Sequence, residues 1–215
     1  MPVITIARQF GAGGETVGQM VAARLGAEFL DRQIIAEVAR RLELADSEVE
    51  EHDEATGGFL SRLLTALGAA SVEYSAPPEV AAWSPPYTDP AFNPGKAVLQ
   101  LTQEVIWEAS RTGNVVIVGR GSAYILRELP GALHVFLRAD DESKLALLRQ
   151  TFGYDTEKAR QRMKQVDANR AAYIRQVYGH DWAHPGHYDV VLDTGRLGYE
   201  RSAAAVVAAV SGSLP

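Results

Sequence analysis

The residues best equipped for chemistry near the start of the chain are those of Ala7-Arg8-Gln9-Phe10-Gly11-Ala12-Gly13-Gly14-Glu15-Thr16. Glycines at 11, 13 and 14 let successive backbone N–H groups turn toward an anion, and a helix beginning there adds unpaired donors and a partial positive charge. The Thr16 hydroxyl is a candidate ligand for a metal ion or a phosphate oxygen. The usual phosphate-loop pattern, G-x-x-x-x-G-K-S/T, is only partly met. With Gly13 as the second glycine, the first falls on Arg8, the lysine on Gly14 and the hydroxyl position on Glu15. A dinucleotide fingerprint fits less well, because Gly11-x-Gly13-x-x-Thr16 lacks its third small residue. Two readings stand at this point: a phosphate-binding loop made by Gly11, Ala12, Gly13, Gly14, Glu15 and Thr16, or a tight strand-to-helix turn with no ligand.

Phosphoryl transfer asks for positioned positive charge more than for covalent chemistry. A loop without lysine shifts that demand to arginines and a metal. Arg8 opens the loop, and its guanidinium suits bidentate phosphate contact; the alternative is a salt bridge at a strand end. Arg120 lies between Gly119 and Gly121, directly after the apolar run Val115–Val118, and so belongs at the same sheet edge. Asp31 follows the short run Glu28–Leu30; it either orients an acceptor or a metal-bound water, or caps the next helix. Arg160, Arg162, Lys164, Arg170 and Arg175 share a long helical stretch. Such a helix either turns arginines toward a bound phosphate or is a solvated face with i,i+3 and i,i+4 pairs. Asp193-Thr194-Gly195 reads as a turn start. His180, His184 and His187 with Asp181 have spacings that suit a metal on a helix, but Pro185-Gly186 breaks any helix there. No metal site is expected among them, and Trp182 reads as a packing anchor.

The elements that must hold these residues alternate. Val3–Ala7 is a strand, the residues from Val17 to Leu25 recur at helical spacing, and Glu28–Leu30 is a second short strand. Ile34 to Leu44 is amphipathic. Regular structure resumes at Ala97, with a helix, then the buried-type strand Val115–Val118, a strand at Leu133–Leu137, helices at Glu142–Gln150 and Thr156–Val177, a strand at Val190–Leu192 and a closing helix at Arg201–Val210. Alternating strands and helices predict a parallel sheet covered on both faces. Between them, residues 47–94 begin acidic, offer a short helix at Phe59–Leu67 and end in a proline-rich tract with Trp83, Tyr87 and Phe92. A loop of that length reads as an insertion or flap on a single domain spanning 1–215.

The 215 residues suffice for one sizeable core. A net charge of −6 gives no case for nucleic-acid binding, and the lack of cysteine removes disulfides and thiol chemistry. No long apolar run or signal segment is present, so no membrane partner is expected and a cytoplasmic location follows by default. A homodimer through the apolar C-terminal helix and a monomer are equally open.

Taken together, Ile4-Thr5-Ile6-Ala7-Arg8-Gln9-Phe10-Gly11-Ala12-Gly13-Gly14, Phe29-Leu30-Asp31-Arg32, Val116-Ile117-Val118-Gly119-Arg120-Gly121, Val135-Phe136-Leu137-Arg138-Ala139, Asp167-Ala168-Asn169-Arg170-Ala171-Ala172-Tyr173 and Tyr188-Asp189-Val190-Val191-Leu192-Asp193-Thr194 resemble, in order, the blocks of the cytidylate-kinase-like family. In these relatives of bacterial cytidylate kinases the loop lysine is typically missing. Only residues 47–94 have no counterpart. The resemblance implies an α/β three-layer P-loop kinase fold, a parallel sheet flanked by helices with a helical lid at about 152–182. It implies ATP and Mg2+ as cofactors, nucleotides as partners, and transfer of the ATP γ-phosphoryl group to a nucleoside monophosphate such as CMP. Arg8, Asp31, Arg120 and Arg170 become the catalytic candidates, with Arg120 gripping the acceptor, Asp31 near its phosphate, and Asp167 with Arg170 forming the lid's Asp-x-x-Arg pattern. Gly11 to Thr16 and Arg162 become the nucleotide contacts, with Thr16 toward the metal, and Asp193-Thr194-Gly195, which in relatives lies near the nucleotide base, is either a weak nucleotide contact or only the turn start. Two other functions fit the same blocks: a nucleotide-binding regulatory protein with little catalysis, suggested by Gly14 and Glu15, and a small-molecule kinase on the same fold.

Overall fold

The computed structural model describes residues 1–49 and 94–212. Its elements are β1 (Val3–Arg8), α1 (Gly14–Leu25), β2 (Glu28–Leu30), α2 (Arg32–Val49), α3 (Pro94–Thr112), β3 (Val115–Val118), α4 (Ser122–Ile125), β4 (Ala132–Arg138), α5 (Asp141–Phe152), α6 (Thr156–Tyr178), a 3-10 turn (Pro185–His187), β5 (Val190–Asp193), α7 (Thr194–Leu197) and α8 (Tyr199–Val210). Residues 1–31 and 107–215 cluster as one compact unit and residues 32–106 as another. The helix expected at Phe59–Leu67 and the aromatics Trp83, Tyr87 and Phe92 lie outside the described residues.

The five strands form one sheet in the order β2-β3-β1-β4-β5. Every pairing is parallel, with Ile4 opposite both Val116 and Leu133, and Val135 opposite Val190. Parallel strands covered on both faces need apolar residues on both, which is why β3 is Val115-Val116-Ile117-Val118 with no polar break. Successive side chains then separate by face. Ile4, Ile6, Val116, Val118, Val135 and Leu137 pack with Val17 and Val21 of α1 and Ala203 and Val206 of α8. Phe136, between two members of that cluster, joins Ala123, Ile174, Trp182 and Tyr188 on the other side. These two clusters are the interfaces of a three-layer α/β sandwich, and Trp182 is the packing anchor its sequence position suggested.

Helix boundaries follow local chemistry. Asp140 and Asp155 cap α5 and α6, accepting from the backbone N–H of Ser143 and Lys158 at 2.8 Å each. The α6 helix runs unbroken for 23 residues to Gly179, whose positive φ ends it. Where a turn was expected at Asp193-Thr194-Gly195, the chain makes the short helix α7, because the Asp193 carboxylate accepts from Arg196 N–H and supplies its cap.

Candidate active site

The glycine loop lies where the topology demands, at the carboxyl end of the central strand β1. It is pinned from below: Gln9 N–H donates to Leu137 O at 2.9 Å, and Ala12 N–H to Gln9 O at 3.2 Å. Gly11 and Gly13 sit at φ +83° and +69°, which a side chain would resist. Helix α1 then starts with Gly13 as its N-cap, and no side chain caps it. The N–H groups of Gly14, Glu15 and Thr16 have no carbonyl one turn earlier to bond, so they and the helix dipole present a local positive end. The Glu15 carboxylate is drawn along the helix toward Gln19, whose amide donates to it at 3.4 Å. Its charge therefore does not have to oppose an anion at the loop.

Arg8 explains the missing lysine. A Cβ on Gly14 would lie 2.5 Å from Arg8 Cγ and 3.0 Å from its Cβ. A Cβ on Gly119 would strike the guanidinium itself. Arg8 thus threads between two glycines, from the end of β1 toward the end of β3, and reaches the Asp31 carboxylate at 3.7 Å. Both side chains are mostly buried, 15% and 5% exposed. The Arg8, Asp31 and Gly14 positions singled out in sequence are one cluster.

The other expected residues meet it from two sides. Asp167 Oδ1 accepts the Phe10 N–H at 2.8 Å, and Arg170 Nη1 donates to Arg8 O at 2.9 Å while lying 3.4 Å from the same Asp167 oxygen. The Asp-x-x-Arg pair on α6 therefore buckles the helix to the backbone of the loop. Burial pushes the Asp167 carboxyl above its ordinary value, against the Phe10 N–H, Arg170 and Lys144, which stabilise the carboxylate. Across the sheet edge, Gly119, Arg120 and Gly121 all have positive φ, +80°, +58° and +71°. A left-handed arginine costs about 1–2 kcal/mol, which glycine at the same place would avoid. Burial, first, and Tyr178 raise the Tyr173 phenol above its ordinary value, while the Arg120 charge acts in the opposite direction. Arg162 meets Gln165 on its own helix at 3.1 Å.

Beside the loop is a cleft of about 210 Å3 lined by Gly11, Ala139, Ser143, Gly195, Gly198 and Tyr199, together with Thr194. The Tyr199 ring lies where a Cβ on Gly13 would be, so this aromatic face abuts the loop. Thr194 is 3% exposed, and its hydroxyl lies 2.9 Å from Ala12 O and 3.1 Å from Arg138 O, tying the loop to the ends of β4 and β5. Two residues of the site escaped the sequence reading. Tyr199 lies just before the closing helix expected at Arg201–Val210, and Lys144 is one of several charges on α5. Asp141 and Lys144 at i,i+3 spell a surface pair, yet Lys144 is 7% exposed and packs its stem on Gly11.

His180 stacks on Tyr124, His187 meets the same ring edge-on and packs at a tilt against His180, and Arg127 Nη1 lies 3.4 Å from a ring nitrogen of each histidine. Among the described residues no three carboxylate or imidazole groups are grouped to hold a metal ion, and no helix is long and apolar enough to cross a membrane.

The model of the cytidylate kinase-like family matches residues 3–196 of the chain. Among solved structures the fold is similar to an uncharacterized protein from Eubacterium ventriosum, at TM-score 0.68 and 17% identity over 98% of this chain and 99% of that one. It is also similar to TT1252 from Thermus thermophilus, at 0.55 and 18% over 100% and 98%, and to a shikimate kinase from Acinetobacter baumannii in complex with shikimate, at 0.51 and 16% over 100% and 96%. No curated protein matches. The chain belongs to the cytidylate kinase-like family and has the P-loop kinase fold of a phosphotransferase.

Proposed function

We propose that this member of the cytidylate kinase-like family moves the γ-phosphoryl group of ATP to a nucleoside monophosphate, with CMP or a similar nucleotide as acceptor. The observation that carries the reading is Arg8. A loop that merely turned the chain would have no use for a mostly buried guanidinium threaded between two glycines at the mouth of an uncapped helix.

The residues present fit magnesium-ATP. The N–H groups at the start of α1 suit phosphate oxygens, Glu15 is drawn aside, and the cleft with the Tyr199 ring suits a flat base next to Gly11. Magnesium, bound with the triphosphate, would supply charge neutralisation, and Thr16 would be the residue to hold it; Mg2+ usually keeps phosphates and waters as its other ligands, so no carboxylate cage is required. In the reaction an oxygen of the acceptor phosphate bonds to the γ-phosphorus as the bond from that phosphorus to the bridging oxygen breaks, releasing ADP. Arg8 stabilises the charge that develops on the moving group, and Asp31 fixes Arg8. Arg120 aligns the acceptor. Arg170 holds the Arg8 backbone and adds charge beside the loop, and Arg162 contributes a nucleotide contact from the same helix.

The test is magnesium-ATP with a panel of nucleoside monophosphates, following ADP and nucleoside diphosphate by chromatography, with Arg120→Ala as control. Turnover of one monophosphate that falls about 100-fold or more in the control supports the reading. Folded protein that binds ATP but turns over no monophosphate rejects it. That result leaves two readings: a nucleotide-binding regulatory role, and a small-molecule acceptor, for which shikimate is the first compound to add because one structural neighbour was solved with it.

A further inference from the structure

The cations given a role in the proposed reaction are arginines on β1, on the loop after β3 and on α6. One further cation touches the phosphate loop and has no part in that account. Lys144 is nine-tenths buried, which lysine rarely is without a specific use. Its partner does not supply the reason. Nζ lies 2.8 Å from Asp141 Oδ1, but Asp141 is 74% exposed while the lysine side chain is 8% exposed. A pair with one member in water contributes little to the fold, so the burial of this charge calls for another explanation.

Its position supplies one. Asp140 caps α5, and Lys144 N–H bonds Asp140 O at 3.1 Å, so the root of the lysine is fixed. A Cβ on Gly11 would be 3.0 Å from Lys144 Cβ and 3.3 Å from its Cα and Cγ, so helix and loop are in direct contact here. The adjacent Ser143 lines the cleft with Gly11. The Lys144 charge also acts to stabilise the Asp167 carboxylate, which already accepts the Phe10 N–H and faces Arg170. The root of the lysine is thus held against Gly11 of the loop, while its amine rests on an acid that can return to water.

We propose that Lys144 is a phosphate-binding cation of this loop, parked on Asp141 and transferred to a triphosphate oxygen when the nucleotide binds. The proposal rests on the reading of the loop as a triphosphate site and adds to it the residue that stands in for the lysine lost at position 14. An ammonium on a flexible arm suits the exchange: it is a point charge with three donors, and it can leave Asp141 without breaking a planar fork. Asp141, being exposed, loses little when released.

The test is equilibrium binding by calorimetry, without acceptor, of ATP, inorganic tripolyphosphate and adenosine to wild type, Lys144→Met, Lys144→Arg and Asp141→Asn. A charge-assisted hydrogen bond predicts that Lys144→Met weakens ATP and tripolyphosphate about 10- to 100-fold. Adenosine affinity stays at the wild-type value, and Lys144→Arg recovers most of the loss. Asp141→Asn removes the competitor and tightens tripolyphosphate about two- to fivefold. Lys144→Met that binds ATP like wild type overturns the proposal, and so does equal loss of ATP and adenosine, which marks a structural role. If Lys144→Met does not fold, Asp141→Asn decides: unchanged or weaker tripolyphosphate binding overturns it. Wild type that binds neither ATP nor tripolyphosphate rejects the triphosphate-site reading itself, a result distinct from a wild type that binds and a variant that binds equally.

Discussion

Restoring the lysine that the standard loop carries should damage this protein. At Gly14 an added Cβ would meet Arg8 Cγ at 2.5 Å, Cβ at 3.0 Å and Cδ at 3.1 Å. These atoms belong to the root of the side chain, and Arg8 Cβ cannot move without moving β1. Helix propensity pulls the other way, since replacing glycine gains at most about 1 kcal/mol. Overpacking of this kind costs about 1–3 kcal/mol, and disturbing the ion pair between Arg8 and the 5%-exposed Asp31 adds up to about 3–5 kcal/mol if the pair is fully broken. The clash wins, and Gly14→Lys should lose about 2–5 kcal/mol, or about 4–20 °C in Tm for a chain of this size. Gly14→Lys should also bind ATP more weakly than wild type. Combining it with Arg8→Ala removes the closest obstruction, Cγ and Cδ, so the double variant should be more stable than the sum of the two changes by at least about 1 kcal/mol. Melting curves and ATP titrations on the four proteins check this. A Gly14→Lys protein that melts with wild type and binds ATP more tightly, with Arg8 intact, refutes the claim that Arg8 occupies the lysine's place.

Arg120 offers a second test, because its φ of +58° is free for glycine and costs about 1–2 kcal/mol for arginine. After allowing for glycine's larger unfolded entropy, Arg120→Gly should be neutral or up to about 1 kcal/mol more stable in denaturant melts, while turnover falls about 100-fold or more. Thr194→Val keeps the shape of a buried side chain but leaves the Ala12 and Arg138 carbonyls without its hydroxyl; about 1–3 kcal/mol should be lost, visible as a Tm drop of about 2–12 °C. Burial holds the His134 imidazole below its ordinary value, the Arg127 charge acting in the same direction and Asp189 against. A depressed folded value means the unfolded chain binds more protons, so this contribution is present above the unfolded value of about 6.5 and is lost as pH falls below it. His134→Gln should flatten the loss of stability on acidification below about pH 6.5, with His187, also held low by burial and by the neighbouring His180, Arg127 and His184, retaining part of the slope.

The strands and the loop were legible because they rest on local physics. A run such as Val115–Val118 has no use except burial on two faces, and glycines at 11 and 13 are demanded by positive φ within the loop. Arg8 and Gly14 were visible as departures from a pattern, but their connection was not, since it depends on a side chain crossing from one strand end to another. Arg170 was expected over a transferring phosphoryl group and is found on the Arg8 carbonyl, a backbone contact that no residue spacing encodes. Lys144 escaped for a related reason. Asp141 and Lys144 at i,i+3 spell a surface pair; only the tertiary placement of α5 against the loop turns the lysine inward.

Placing the cation on β1 instead of α1 changes what else the residue can do. A lysine at the helix start is fixed by the helix alone, whereas Arg8 is the last residue of the central strand and its position is set by pairing with β4, where it lies opposite Leu137. Its carbonyl takes Arg170 from α6, its side chain takes Asp31 from the end of β2, and its stem requires glycine at the start of α1. One residue therefore joins four elements that a phosphate loop must keep in register, and displacement of α6 is felt directly at the residue that carries the charge. The usual pattern assigns the cation to the helix; here a mostly buried guanidinium stands at the mouth of an uncapped helix instead, and Gly14 leaves the space its stem occupies.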